Sequence, residues 1–131
     1  MSAGLLLDTC TILWLANDPG DLSETARRAL ISQSDRIFVS AISAFEIGHK
    51  HARGRLALSI PASDWFRAAT RHHGIRIISI SARIALAATQ LPPHHTDPCD
   101  RFIVATAALK RLELVTPDAL IRAYSEIKAI W

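Results

Sequence analysis

Leu5-Leu6-Leu7-Asp8-Thr9 places three consecutive apolar residues directly before a carboxylate. A strand with one wet face alternates apolar and polar side chains, whereas a run that is apolar at every position buries both faces. Such a strand belongs inside a parallel sheet covered by helices on each side. Ile37-Phe38-Val39 and Leu114-Val115 repeat the pattern, Ile75-Arg76-Ile77-Ile78 does so with one charge, and residues 127–131 read as a final edge strand. Helical stretches lie between them. One spans residues 11–16, and one spans 24–32 with Ser23 as its cap. A third runs through Glu46 to about Arg53 and is stopped by Gly54; a fourth, residues 62–73, is opened by Pro61 and ended by Gly74. Ser81 caps a fifth, which runs to about Gln90. A long helix follows Pro98, a short one covers residues 119–124, and residues 56–60 read as connecting chain with a further helical turn. Strands alternating with helices predict an α/β fold with a mainly parallel sheet of four or five strands.

With 131 residues, half of them apolar, the chain is expected to form one domain over residues 1–131 with a packed core. Its apolar runs are short and interrupted by charge, far below the roughly 18–20 residues that cross a bilayer. No basic stretch precedes an apolar core at the N-terminus, so the expectation is a cytoplasmic protein without a signal peptide or membrane segment. Cys10 and Cys99 lack a metal-type spacing and fit a reducing compartment. The net charge of +3 suits a polyanionic partner.

The acids sit at the ends of elements. Asp8 closes the first strand, Glu46 interrupts an otherwise apolar helix, and Asp118 follows Leu114-Val115-Thr116-Pro117. In His94-His95-Thr96-Asp97-Pro98-Cys99-Asp100-Arg101, Pro98 suits a first helical turn, with Asp97 at the N-cap and Asp100 just inside. Ordinary helix initiation explains Asp97 on its own, and capping alone is open to Asp118. Right-handed crossovers, however, bring the strand ends of a parallel sheet to one edge. Carboxylates gathered there repel each other, and a hard divalent cation such as Mg2+ relieves the repulsion. Such an ion activates water and stabilises charge on a phosphoryl oxygen.

Four segments in order, Leu-Leu-Leu-Asp-Thr at 5–9, Val-Ser-Ala-Ile-Ser-Ala-Phe-Glu-Ile at 39–47, Asp-Pro-Cys-Asp-Arg-Phe-Ile-Val-Ala-Thr-Ala at 97–107 and Leu-Val-Thr-Pro-Asp at 114–118, resemble the PIN-domain ribonucleases. The similarity is to the VapC-type toxins of bacterial toxin–antitoxin pairs. It implies a three-layer α/β/α PIN-like fold and a Mg2+- or Mn2+-dependent endoribonuclease. It further implies an RNA substrate, a cognate antitoxin and self-association as a homodimer or a larger assembly. By position it makes Asp8, Glu46 and Asp100 the core metal-binding and catalytic acids, with Asp118 a fourth and Asp97 an additional one. Thr9 and Thr116 match hydroxyls that line the pocket. Cys99 stands where an aromatic residue is common, and Pro117 is unusual beside the last acid.

Other readings compete. A receiver-like Mg2+-binding signalling domain wants an Asp after the third strand, but the chain has Ser79-Ile80-Ser81 there. A PIN-like domain that binds RNA or protein without cutting would not need all four acids. His49, His51, His72, His73, His94 and His95 lack the spacing of a zinc pair and read as surface residues, with His94 and His95 near enough to the acids to touch RNA. Lys50, Arg53, Arg55, Arg71 and Arg76 are either a solvated face or a phosphate track. Arg101 reads as an ion-pair partner of Asp100. Trp14, Trp65 and Phe66 read as core, or as the lining of a groove for an antitoxin helix.

Overall fold

A computed structural model describes residues 2–131. Its sheet has five strands, β1 (Leu5–Leu7), β2 (Ile37–Ser40), β3 (Arg76–Ile78), β4 (Glu113–Val115) and β5 (Ala129–Ile130). The spatial order is β3-β2-β1-β4-β5, and every pairing is parallel. The helices are α1 (Thr9–Asn17), α2 (Glu24–Ser32), α3 (Ala41–Ala52), α4 (Ala62–His72), α5 (Ala82–Thr89), α6 (Pro98–Lys110) and α7 (Ala119–Arg122).

β1 shows why the chain layers as it does. Its side chains alternate between the two faces of the sheet, and all three are fully buried. Leu5 and Leu7 pack with Ile12, Ala26, Ile47, Trp65 and Phe66 on one side. Leu6 packs with Ile103, Val104, Ile121 and Tyr124 on the other. Helices therefore cover both faces, and the three-layer α/β/α arrangement follows. Burying a leucine contributes roughly 2 kcal/mol, so these three central side chains dominate the local energetics. Gly4 sets the approach to this strand: its φ is +142°, and a Cβ there would lie 2.5 Å from the carbonyl oxygen of Arg36, which accepts the Leu5 N–H at 2.8 Å.

Several boundaries differ from expectation. α1 starts at Thr9, because the Asp8 side chain accepts the Thr11 N–H and caps the helix directly off the strand. Residues 56–60 form no helix. β3 is an edge strand, and its Ile77 is exposed. Trp65 and Phe66 are core residues, whereas Trp14 is half-buried and leans on Trp131 with ring centroids 5.6 Å apart. α6 ends at Arg111 in the left-handed region (φ 58°), which turns the chain into β4. No helix among the described residues is long and apolar enough to cross a membrane.

The strand order reverses beside β1: the chain moves outward to β2 and β3, then returns on the other side as β4. In open parallel sheets the crevice at the carboxyl ends of the two strands flanking such a switch point is the usual binding site. Asp8 follows β1, and Thr116, Pro117 and Asp118 follow β4.

Candidate functional site

Asp8 is buried and held from three directions. One oxygen accepts the Thr11 N–H at 2.9 Å and lies 2.6 Å from the Thr11 hydroxyl. The other accepts from the Thr116 hydroxyl. Burial raises its carboxyl above the usual range, the hydrogen bonds from Thr11 and Thr116 pull it back, and the charge of Asp118 adds to the rise.

α3 contributes Glu46 on a half-buried face. The Thr9 hydroxyl donates to its Oε1 at 2.6 Å, and Ser43, one turn earlier, lies 3.0 Å from Thr9. Burial raises the Glu46 carboxyl; Thr9 and Lys50 lower it, and Asp97 and Asp8 raise it. Both threonine hydroxyls are thus buried behind the carboxylates they fix.

Across the crevice, Asp97 caps α6 by accepting the Cys99 N–H at 2.9 Å, and Asp100 stands in the first turn. Asp118 caps α7 through one oxygen, 2.8 Å from the Leu120 nitrogen. Its other oxygen lies 3.3 Å from His95 Nε2, which is also 2.9 Å from an Asp100 oxygen. His95 Nδ1 accepts the Asp97 N–H at 3.1 Å. A neutral imidazole that accepts at Nδ1 carries its proton on Nε2. That proton serves the Asp118 carboxylate, while an Asp100 oxygen lies in close contact with the same ring nitrogen, so the imidazole sits against both acids.

A buried scaffold holds His95. Arg101 donates to the carbonyls of Ala88 and Leu91 at 2.8 Å, of Pro92 at 3.1 Å and of His95 at 3.2 Å. The buried Tyr124 hydroxyl accepts the His95 N–H at 3.0 Å. Inside the loop before α6, the His94 N–H donates to the Pro92 carbonyl at 2.9 Å, and one guanidinium and one phenol tie the loop to the helices around it.

Asp100 is the most perturbed acid with a defined value. Burial, then the charges of Glu46 and Asp97, push its carboxyl up to about 7, against a lowering by His95. Burial pushes both thiols up to about 11, aided by Asp8, Asp100 and Glu46 at Cys10 and by Glu46, Asp97 and Asp100 at Cys99, so neither is a thiolate nucleophile at neutral pH. Three atoms of ligand type, from His95, Asp100 and Asp118, lie within 4.8 Å of one another. With Asp8, Glu46 and Asp97 nearby, the donor set is mainly carboxylate oxygen, which fits a hard divalent cation.

Two expectations are corrected. His95 is not a surface residue: its side chain is only 14% exposed and touches two of the acids. Arg101 makes no ion pair with Asp100, because loop carbonyls and the Tyr124 hydroxyl take its donors. Thr11, Ser43 and Tyr124 escaped the sequence argument altogether. Ser43 carries a visible signal, a hydroxyl one helical turn before the acid it helps to support.

The PIN-domain family profile matches residues 5–127. Ribonuclease VapC22 of Mycobacterium tuberculosis is 35% identical over 121 residues, covering 92% of this chain and 91% of that protein. Among solved structures, DNA-bound VapBC from Salmonella typhimurium superposes with a TM-score of 0.71 at 16% identity, covering 98% of this chain and 97% of that one. A toxin–antitoxin complex from Klebsiella pneumoniae gives 0.60 at 26% identity, covering 91% and 90%. With the four acidic segments in order on this fold, the chain belongs to the PIN-domain family, among its VapC-type members.

Proposed function

We propose that the chain is a Mg2+-dependent endoribonuclease, with Mn2+ able to substitute, that hydrolyses RNA phosphodiester bonds as the toxin of a toxin–antitoxin pair in the cytoplasm. The observation that carries this reading is the gathering of acids from four elements at one sheet edge, with Asp100 pushed up to about 7. Asp8, Glu46 and Asp100 would hold the ion, with Asp118 and Asp97 orienting water beside it. A divalent cation there supplies a more acidic water and positive charge against the phosphate. The chain's own part is positional: Thr9 and Thr116 fix the carboxylates of Glu46 and Asp8, and His95 fixes those of Asp100 and Asp118. Water would form the new P–O bond as the ribose oxygen on the opposite side leaves and takes up a proton; a cysteine nucleophile is disfavoured, since both thiols are protonated at neutral pH.

The similarity to VapC-type proteins supports a protein inhibitor covering the crevice, and self-association of the chain. Mixed RNA incubated with the protein should be cut in millimolar Mg2+ and left intact in EDTA. Asp100→Asn should fold as wild type by circular dichroism and fail to cut; cutting at the wild-type rate would overturn the proposal. Expressed without its inhibitor, the chain should slow growth, and Asp8→Asn should relieve this at equal soluble level.

A further inference from the structure

α3 carries three stripes. Ser43 and Ile47 face the core and are fully buried. Glu46, Lys50 and Arg53 follow one another at the i, i+4, i+7 spacing of a second face. Phe45 and His49, also four apart, form a third, and their rings stack with centroids 5.5 Å apart and planes 13° from parallel. Phe45 is 59% exposed, on the side of the helix away from the core. An exposed phenylalanine already stacked on a neighbouring ring presents a flat, rigid apolar face to solvent.

The second and third stripes meet in one recess. Phe45, His49, Lys50, Arg53 and Arg55 line it, and its other end is closed by the carboxyl-bearing Glu46 and Asp97. At a rise of about 1.5 Å per residue, Lys50 lies roughly 6 Å and Arg53 roughly 10 Å along the axis from Glu46. Cations in file leading away from an acidic crevice fit a phosphate chain, and an aromatic platform beside them fits a base. A base paired in a duplex has both faces occupied by its neighbours, so the platform selects an unpaired nucleotide. An acidic partner helix would satisfy the cations but would set its own carboxylates against Glu46 and Asp97 in the same recess.

Building on the nuclease reading above, we infer that Phe45, stacked on His49, is a base-binding platform. It takes one unpaired nucleotide next to the scissile phosphate, while Lys50, Arg53 and Arg55 hold the flanking phosphates. The platform is tested by fluorescence anisotropy with a labelled single-stranded RNA that wild type cuts, using Asp100→Asn so that the RNA stays intact. Adding Phe45→Ala or Phe45→Leu should weaken binding by about 5- to 150-fold, the range for loss of one base–aromatic stack, while Phe45→Trp should retain it. Leucine keeps apolar area but lacks the ring face, so it separates stacking from simple burial. An RNA with one abasic site at the stacked position should lose a similar factor, and Phe45→Ala should add nothing to that loss. Lys50→Ala should reduce the slope of log affinity against log salt by about 1. Equal binding by wild type, Phe45→Ala and Phe45→Leu overturns the platform alone, and so does an abasic penalty that persists undiminished in Phe45→Ala. If wild type neither binds nor cuts any RNA, the nuclease reading falls and takes this inference with it.

Discussion

Asp100→Asn should stabilise the metal-free protein, and by an amount that depends on pH. The side chain is 16% exposed and its carboxyl stands at about 7, against an ordinary 3.8. Because the folded value is the higher, the native state holds a proton between these values that the unfolded chain has released. Stability is therefore lost as pH rises from about 4 to about 7. About three pH units at roughly 1.4 kcal/mol each set an upper bound of about 4 kcal/mol, fully expressed only above pH 7. Asn keeps the shape and carries no charge. In urea melts with EDTA, the variant should lead by about 1–2 kcal/mol at pH 5 and by about 2–4 kcal/mol at pH 8. On the proposed reading Mg2+ would bind folded wild type, so it should shrink this lead by about 2.7 kcal/mol at a hundredfold excess over Kd and erase it at about a thousandfold, where the gain is about 4 kcal/mol. A stability difference that stays constant between pH 5 and pH 8 would refute the argument. Asp100 would then not feel Glu46 and Asp97, and the acids would not form one cluster.

Nitrogen-15 correlation spectra of the imidazoles in EDTA should show the Nε2–H tautomer for His95, fixed by the Asp97 N–H; the Nδ1–H tautomer would remove it as the link between Asp100 and Asp118. Arg101→Lys should cost about 2–3 kcal/mol, because three rotating donors cannot serve four carbonyls held by a planar fork, and buried acceptors go unpaired. A melt within 0.5 kcal/mol of wild type, on the order of experimental noise, would contradict that account. Asp118→Ala should lose about 1 kcal/mol of stability through its cap on α7, while Asp118→Asn should lose almost none; equal losses would mean that the cap contributes nothing.

The layered fold was legible because Leu5, Leu6 and Leu7 leave no position for water on either face of β1. The caps at Ser23, Ser81, Asp97 and Asp118 were legible too, since each is a local bond reaching two or three residues ahead. What remained hidden depends on partners distant in the chain. Nothing in His94-His95 tells which ring turns inward. The choice is made by Arg101 and Tyr124, which hold the loop, and by Asp118, 23 residues further on. Arg101 was misassigned for a related reason: its neighbour in sequence is Asp100, but its guanidinium reaches backward to carbonyls whose position only the folded loop defines. Thr116 was placed in the pocket by resemblance alone; its bond to Asp8 spans 108 residues, and no local pattern announces that contact.

Three of the acids at the crevice, Asp8, Asp97 and Asp118, also begin helices, and Asn begins helices equally well. Descent with modification therefore has an easy path from an active chain to an inert one. Replacing one carboxylate by its amide removes charge from the crevice while the helix beneath still starts where it did. A lineage released from selection for cutting would keep a stable shell, with its outer surfaces unchanged and available to whatever partner the ancestor had. Decoys that occupy an inhibitor without doing chemistry are the expected by-product of building an acidic site from helix caps.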